Sequence, residues 1–144
     1  MSEAFIGIGS NIRPAENMRD ALRILGSKVR IKGISTVYLT DPIGRPEQEQ
    51  YYNCVAAIET DFSPEEIRHA ILRTIETNLG RVRTEDRYAS RITDLDLIVY
   101  DDLVLKTGGL SLPDPQILNR PFLAMGLSEL APDLVLPGTG LTAV

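Results

Sequence analysis

Two aspartates split by one leucine, Asp94-Leu95-Asp96, close a segment in which Arg81, Arg83, Arg87 and Arg91 crowd into eleven positions. A carboxylate pair binds magnesium well when phosphate oxygens and water complete the shell. Guanidinium groups grip phosphate oxygens through forked, charge-assisted hydrogen bonds. A protein that handles a nucleoside triphosphate needs both. The competing reading of the same residues is a set of surface ion pairs between the acids and the arginines.

Spacing favours the first reading. On a strand, positions i and i+2 share a face. The two carboxylates then stand side by side, with Leu95 turned to the core. Like charges that close cost stability unless a cation lies between them. The polar stretch Thr84 to Ser90 is suited to move and to close over a substrate. Tyr51 and Asn53, also two apart, offer a ring and an amide on one side of a strand, which suits a flat heterocycle with polar edges. The alternative there is a core tyrosine beside a turn asparagine.

Other residues carry less. Gly7-Ile8-Gly9-Ser10-Asn11 lacks the third glycine of a dinucleotide loop and the Gly-Lys-Ser/Thr of a P-loop, and reads as a tight turn between strand and helix. Cys54, the single cysteine, lies in the apolar run CVAAI and reads as a core residue. His69 stands alone on a helix and reads as a surface or boundary residue.

These residues need elements to hold them. Ala4 to Gly9 reads as a strand and Pro14 to Leu25 as a helix stopped at Gly26. Val29 to Thr40 reads as one long strand, ended by Asp41-Pro42-Ile43-Gly44, and Tyr51 to Thr60 as another. Ser63, Pro64 and Glu66 predict a capped helix start, with Gly80 as its stop. Asp94 to Tyr100 is a strand, Pro113, Pro115 and Pro121 punctuate a loop, and Phe122 to Leu130 forms a short helix. The order β-α-β-β-α-β predicts an α+β, ferredoxin-like fold: a four-stranded antiparallel sheet with helices packed on one face. The other face is left for ligands or loops.

Composition sets outer limits. With 144 residues and 43% hydrophobic content, residues 1–144 read as one domain with a sizeable core. A net charge of -5 argues against a general nucleic-acid binder and for a small anionic ligand. Twelve arginines against three lysines favour bidentate recognition. No signal peptide and no membrane span are expected, so the chain reads as cytoplasmic. Oligomeric state is not encoded in any feature of the sequence.

Taken in order, the motifs resemble the family of 6-hydroxymethyl-7,8-dihydropterin pyrophosphokinase, an enzyme of the folate pathway. The resemblance rests on Ile8-Gly9-Ser10-Asn11, on Tyr38 to Gly44, on Gln50-Tyr51-Tyr52-Asn53, and on Glu76 with Gly80-Arg81. It continues through Arg87 to Asp96, then Leu112-Pro113-Asp114-Pro115 and Asn119-Arg120-Pro121-Phe122. It implies transfer of a pyrophosphoryl group from ATP to the pterin's hydroxymethyl oxygen, with AMP released. Asp94 and Asp96 would bind Mg2+, two ions in the family's manner. Arg81 and Arg91 would join them in catalysis, stabilising transition-state charge. Glu76, Arg83, Ser111 and Arg120 would bind ATP. Thr40, Pro42, Ile43, Tyr51, Asn53 and Phe122 would line the pterin pocket. The chain departs from the family pattern at Tyr88, at Ala89-Ser90 in place of Gly-Pro, at Asp114 in place of His, and at Arg73 in place of Gln. Those departures also fit a second reading, a catalytically weakened pterin- or nucleotide-binding paralogue.

Overall fold

The structure is a computed structural model and describes residues 1–41, 50–80, 93–107 and 109–137. Its centre is β1 (Ser2–Ser10), an apolar strand paired antiparallel on both sides. One neighbour is β4 (Tyr51–Thr60) and the other is β5 (Asp94–Tyr100). β2 (Arg30–Ile34) and β3 (Tyr38–Thr40) lie along the outer side of β4. The sheet order β2-β4-β1-β5, all antiparallel, is that of the expected ferredoxin-like fold.

Alternation decides the faces. Ile6, Ile8, Cys54, Ala56, Leu95 and Leu97 point to one side and pack under α1 (Pro14–Lys28) and the second helix. That second helix is built from α2 (Pro64–Glu66), a π-helical segment (Ile67–Leu72) and α3 (Arg73–Asn78). It begins with a full capping box: Ser63 Oγ accepts from Glu66 N, and Glu66 Oε1 accepts from Ser63 N. Phe5, Val55, Ala57 and Ile98 point to the other side. There the C-terminal α4 (Gln116–Asn119) and α5 (Pro121–Leu130) add a cover the sequence reading did not anticipate. Among the described residues that cover packs over Phe5, Val55, Ala57 and Ile98.

Three expectations are refined. The long strand over Val29 to Thr40 is broken, because Ser35 leaves the strand path. Ser35 N donates to Val55 O at 2.8 Å, and Ser35 Oγ accepts from Val55 N at 2.9 Å. The hydroxyl thus stands in for a backbone carbonyl and keeps β4 satisfied across the break. Gly126 of α5 lies against this spot, where a Cβ would come within 2.5 Å of Val55 Cγ2. Second, α1 runs through Gly26 to Lys28, capped by Val29 N donating to Leu25 O. Third, the stretch before the prolines holds a hairpin, β6 (Leu105–Thr107) and β7 (Leu110–Leu112). No helix among the described residues is long and apolar enough to cross a membrane.

Candidate active site

Asp94 and Asp96 sit on β5 with Leu95 buried between them, as the spacing predicts. Their partners across the ladder on β1 are Gly9 and Gly7. Neither glycine is a turn residue: β1 extends through Ser10, which pairs with Tyr52. Their missing side chains serve packing instead. A Cβ on Gly9 would meet Asn53 Oδ1 at 2.9 Å, and one on Gly7 would meet Leu123 Cδ2 at 3.1 Å. Asn53 therefore fills the space over Gly9, and the first turn of α5 seats itself over Gly7.

Three of the expected pterin residues, Thr40, Tyr51 and Asn53, are neighbours on β3 and β4. Thr40 and Tyr51 are ladder partners, and Asn53 pairs with Gly9 on its other side. Asn53 is buried, and its Nδ2 donates to Thr40 Oγ1 at 2.7 Å. That bond fixes the amide's orientation. Arg120 and Phe122 flank the start of α5, with Phe122 half-buried against the second core and Arg120 exposed. Arg120 Nε donates to Gln116 Oε1 at 3.0 Å. Strand β3 is held to α5 by Glu129, which accepts from Thr36 Oγ1 at 2.6 Å and from the Tyr38 hydroxyl. Those hydrogen bonds, from Thr36 first, hold the Glu129 carboxyl below its ordinary range. The same contact pushes the Tyr38 phenol up.

A cavity of about 210 Å³ opens beyond the outer edge of β5, between the second helix and β7. Leu72, Leu95, Leu97 and Leu110 give it apolar walls, while Asp96, Ser111 and Asp114 bring polar atoms. Arg68 and Arg73 line it from the helix. Burial pushes the Asp114 carboxyl up, opposed by the Gln116 N–H, which it accepts at 2.9 Å, and by nearby Arg120. Asp114 N in turn donates to Ile98 O, tying the segment after β7 to β5.

Glu76 lies beneath this arrangement at 2% exposure. Its Oε2 accepts from Leu95 N at 2.9 Å, and its Oε1 lies 3.4 Å from an Arg73 guanidinium nitrogen. Among the described strands β5 pairs with β1 on one side only, so the N–H of Leu95 needs an acceptor from elsewhere. Glu76, expected among the ATP contacts, holds the strand that carries the two aspartates. Arg81, Arg83, Arg91, Pro42 and Ile43 lie outside the described residues. Cys54 and His69 fit their bland readings: the first is in the core, where burial pushes its thiol up to about 11, and the second is exposed.

The donor set fits magnesium. Asp94 and Asp96 place two neighbouring carboxylates on one face of β5, opposite Gly9 and Gly7 of β1. One or two carboxylates beside phosphate oxygens are what Mg2+ takes.

The model of the family described as 7,8-dihydro-6-hydroxymethylpterin-pyrophosphokinase (HPPK) matches residues 5–132. The chain belongs to this family. It is 36% identical over 142 residues to the 2-amino-4-hydroxy-6-hydroxymethyldihydropteridine pyrophosphokinase of Haemophilus influenzae, covering 96% of this chain and 88% of that one. The Pseudomonas aeruginosa protein of the same name is 33% identical over 140 residues, covering 95% and 85%. Folic acid synthesis protein FOL1 of Dictyostelium discoideum is 32% identical over 139 residues, and there the match covers 96% of this chain but 21% of the relative. Among solved structures, Plasmodium falciparum HPPK-DHPS wild type with SDX-DHP shares the fold, with a TM-score of 0.73 at 13% identity. That match covers 99% of this chain and 42% of the other, so the chain spans about two-fifths of that protein.

Some of the site escaped the sequence reading. Arg68 in the cavity wall was not foreseen, while the expected Ser111 lines the same cavity from β7, a strand in a stretch where the sequence reading placed none. A signal for the hairpin was present: Leu105, Thr107, Leu110 and Leu112 alternate around Gly108-Gly109.

Proposed function

We propose that this chain carries out its family's reaction as a single domain: ATP gives its pyrophosphoryl group to the hydroxymethyl oxygen of 6-hydroxymethyl-7,8-dihydropterin, and AMP leaves. The observation that carries the reading is the position of Asp96. It belongs to the carboxylate pair on one face of β5 and also lines the cavity at the edge of that strand. An acceptor on the face and a nucleotide with its nucleoside in the cavity would meet at this residue.

Each side has suitable chemistry. On the face, Asn53 offers an amide with its orientation set by Thr40, which pairs with the polar edge of a pterin. Tyr51 and Phe122 would provide rings for the heterocycle's faces, and Pro42 and Ile43 would belong to the same pocket by the family resemblance. In the cavity, leucine walls with a few polar groups suit a nucleoside, and Ser111 supplies a hydroxyl.

Asp94 and Asp96 would hold Mg2+, two ions in our reading, which would neutralise phosphate charge and align the β-phosphorus with the attacking oxygen. Arg81, Arg83, Arg91 and Arg120 would bind phosphate oxygens and absorb charge on the leaving AMP. Positioning and electrostatics would supply most of the rate.

The test is direct. Protein, Mg2+, ATP and hydroxymethyl-dihydropterin are mixed and AMP is measured by chromatography. AMP formed in step with pterin diphosphate supports the reading. Pterin binding without AMP above background would instead favour the weakened paralogue.

A further inference from the structure

The π-helical segment Ile67–Leu72 lies where the second helix borders the cavity. Its closing bond runs from Arg73 N to Arg68 O, a span of five residues. In an α-helix residues i and i+5 lie about 140° apart around the axis, whereas the wider π turn brings the two closer to one face. Arg68 and Arg73 consequently line the same cavity, one turn apart.

The two arginines are held differently. Arg73 is paired with Glu76 at 3.4 Å, which places it at the Leu95–Asp96 end. Arg68 stands a turn farther along, with its guanidinium against the backbone of Gly109. A Cβ there would lie 3.3 Å from Arg68 Nη2 and 3.4 Å from Nη1. Gly109 has φ +100, so a side chain is disfavoured on two counts. Arg68 Nε is buried and makes no hydrogen bond. No ion pair involves Arg68 among the described residues, although this acidic chain has carboxylates to spare. A buried, unsatisfied donor on a cationic side chain is costly, and the side chain that carries it lines the cavity.

We infer that Arg68 binds the nucleoside end of the triphosphate, donating to acceptor atoms of its base or ribose, and that the π turn exists to place it there. The inference rests on the nucleotide occupying the cavity. With phosphates at the Asp96 end, the next turn of the helix faces the nucleoside. Arg68 is then a determinant of nucleotide affinity and takes no part in the chemical step.

The test compares AMP, ATP and dihydropterin binding by calorimetry in wild type, Arg68→Met and Arg68→Lys, with Mg2+ present. Arg68→Met is expected to weaken AMP and ATP by the same factor, about tenfold. It should leave pterin affinity unchanged and raise the KM for ATP by a larger factor than any change in kcat. Arg68→Lys should restore only part of the loss, because the charge remains and the fork does not. An unchanged AMP affinity with a lowered melting temperature would assign Arg68 to supporting the β6–β7 turn and overturn the inference. A loss much larger for ATP than for AMP would overturn it too, by making Arg68 a phosphate contact. Failure of the wild-type protein to bind AMP or ATP would instead sink the nucleotide reading of the cavity itself.

Discussion

The buried carboxylate of Glu76 accepts the backbone N–H of Leu95 at 2.9 Å, and Leu95 is the residue between the two aspartates. One side chain on the second helix thereby fixes the segment of β5 that presents both carboxylates. The same carboxylate pairs with Arg73 in the cavity wall. Glu76→Ala would leave a buried N–H without an acceptor, at a cost of about 1–3 kcal/mol. For a chain of this size, a melting temperature lower by several degrees is expected. The Mg2+ concentration needed for half-maximal activity should rise as well. Glu76→Gln keeps an acceptor oxygen and should recover most of the stability. A normal Mg2+ dependence in Glu76→Ala would show that Leu95 needs no such tether.

Replacing either aspartate tests the metal assignment. Asp94→Ala and Asp96→Ala should each lower turnover by a factor on the order of 10²–10³, the scale of losing one electrostatic contact in a transition state. Both side chains face away from the core beneath Leu95, so the circular dichroism spectrum and melting curve should change little. Turnover retained in both variants would refute the assignment.

Gly9 and Asn53 make a steric prediction. A methyl group on Gly9 would sit 2.9 Å from Asn53 Oδ1 and force the amide out of its bond to Thr40. Gly9→Ala should raise the Kd for the pterin about tenfold, a loss of roughly one hydrogen bond to a fixed group. ATP affinity should be unaffected, and calorimetry with each ligand separates the two. Equal weakening of both ligands would mean that the whole sheet has shifted.

The thiol of Cys54 sets a pH dependence. Burial raises it from an ordinary value of 9.0 to about 11 in the folded protein. In the unfolded chain the thiol ionises first, so unfolding becomes easier as pH rises. The stability linked to this group is complete below pH 9 and is lost between about pH 9 and 11. Urea midpoints over that range should fall more steeply for wild type than for Cys54→Ala. Parallel slopes would show that the thiol ionises freely in the folded state.

Much of the frame was legible because its signals are local. The capping box at Ser63 and Glu66 needs only four consecutive residues, and it forms as predicted. The bounds of β4 and β5 follow from apolar runs and appear unchanged at Tyr51–Thr60 and Asp94–Tyr100. Strand alternation alone turns Leu95 inward and leaves Asp94 and Asp96 on one side. Ser35 was not legible, because its role depends on Val55, twenty positions away, and on the close approach of Gly126.

What the sequence determined by itself is the set of chemical groups and the order of elements, since both follow from residue types and short-range periodicity. The tertiary structure decided which groups meet. It put Asn53 over Gly9, brought β7 and Arg68 to the edge of β5, and set Glu76 under Leu95. Those meetings depend on register between strands far apart in the chain and on a π turn that shifts one helix face. Residue spacing along the chain carries neither.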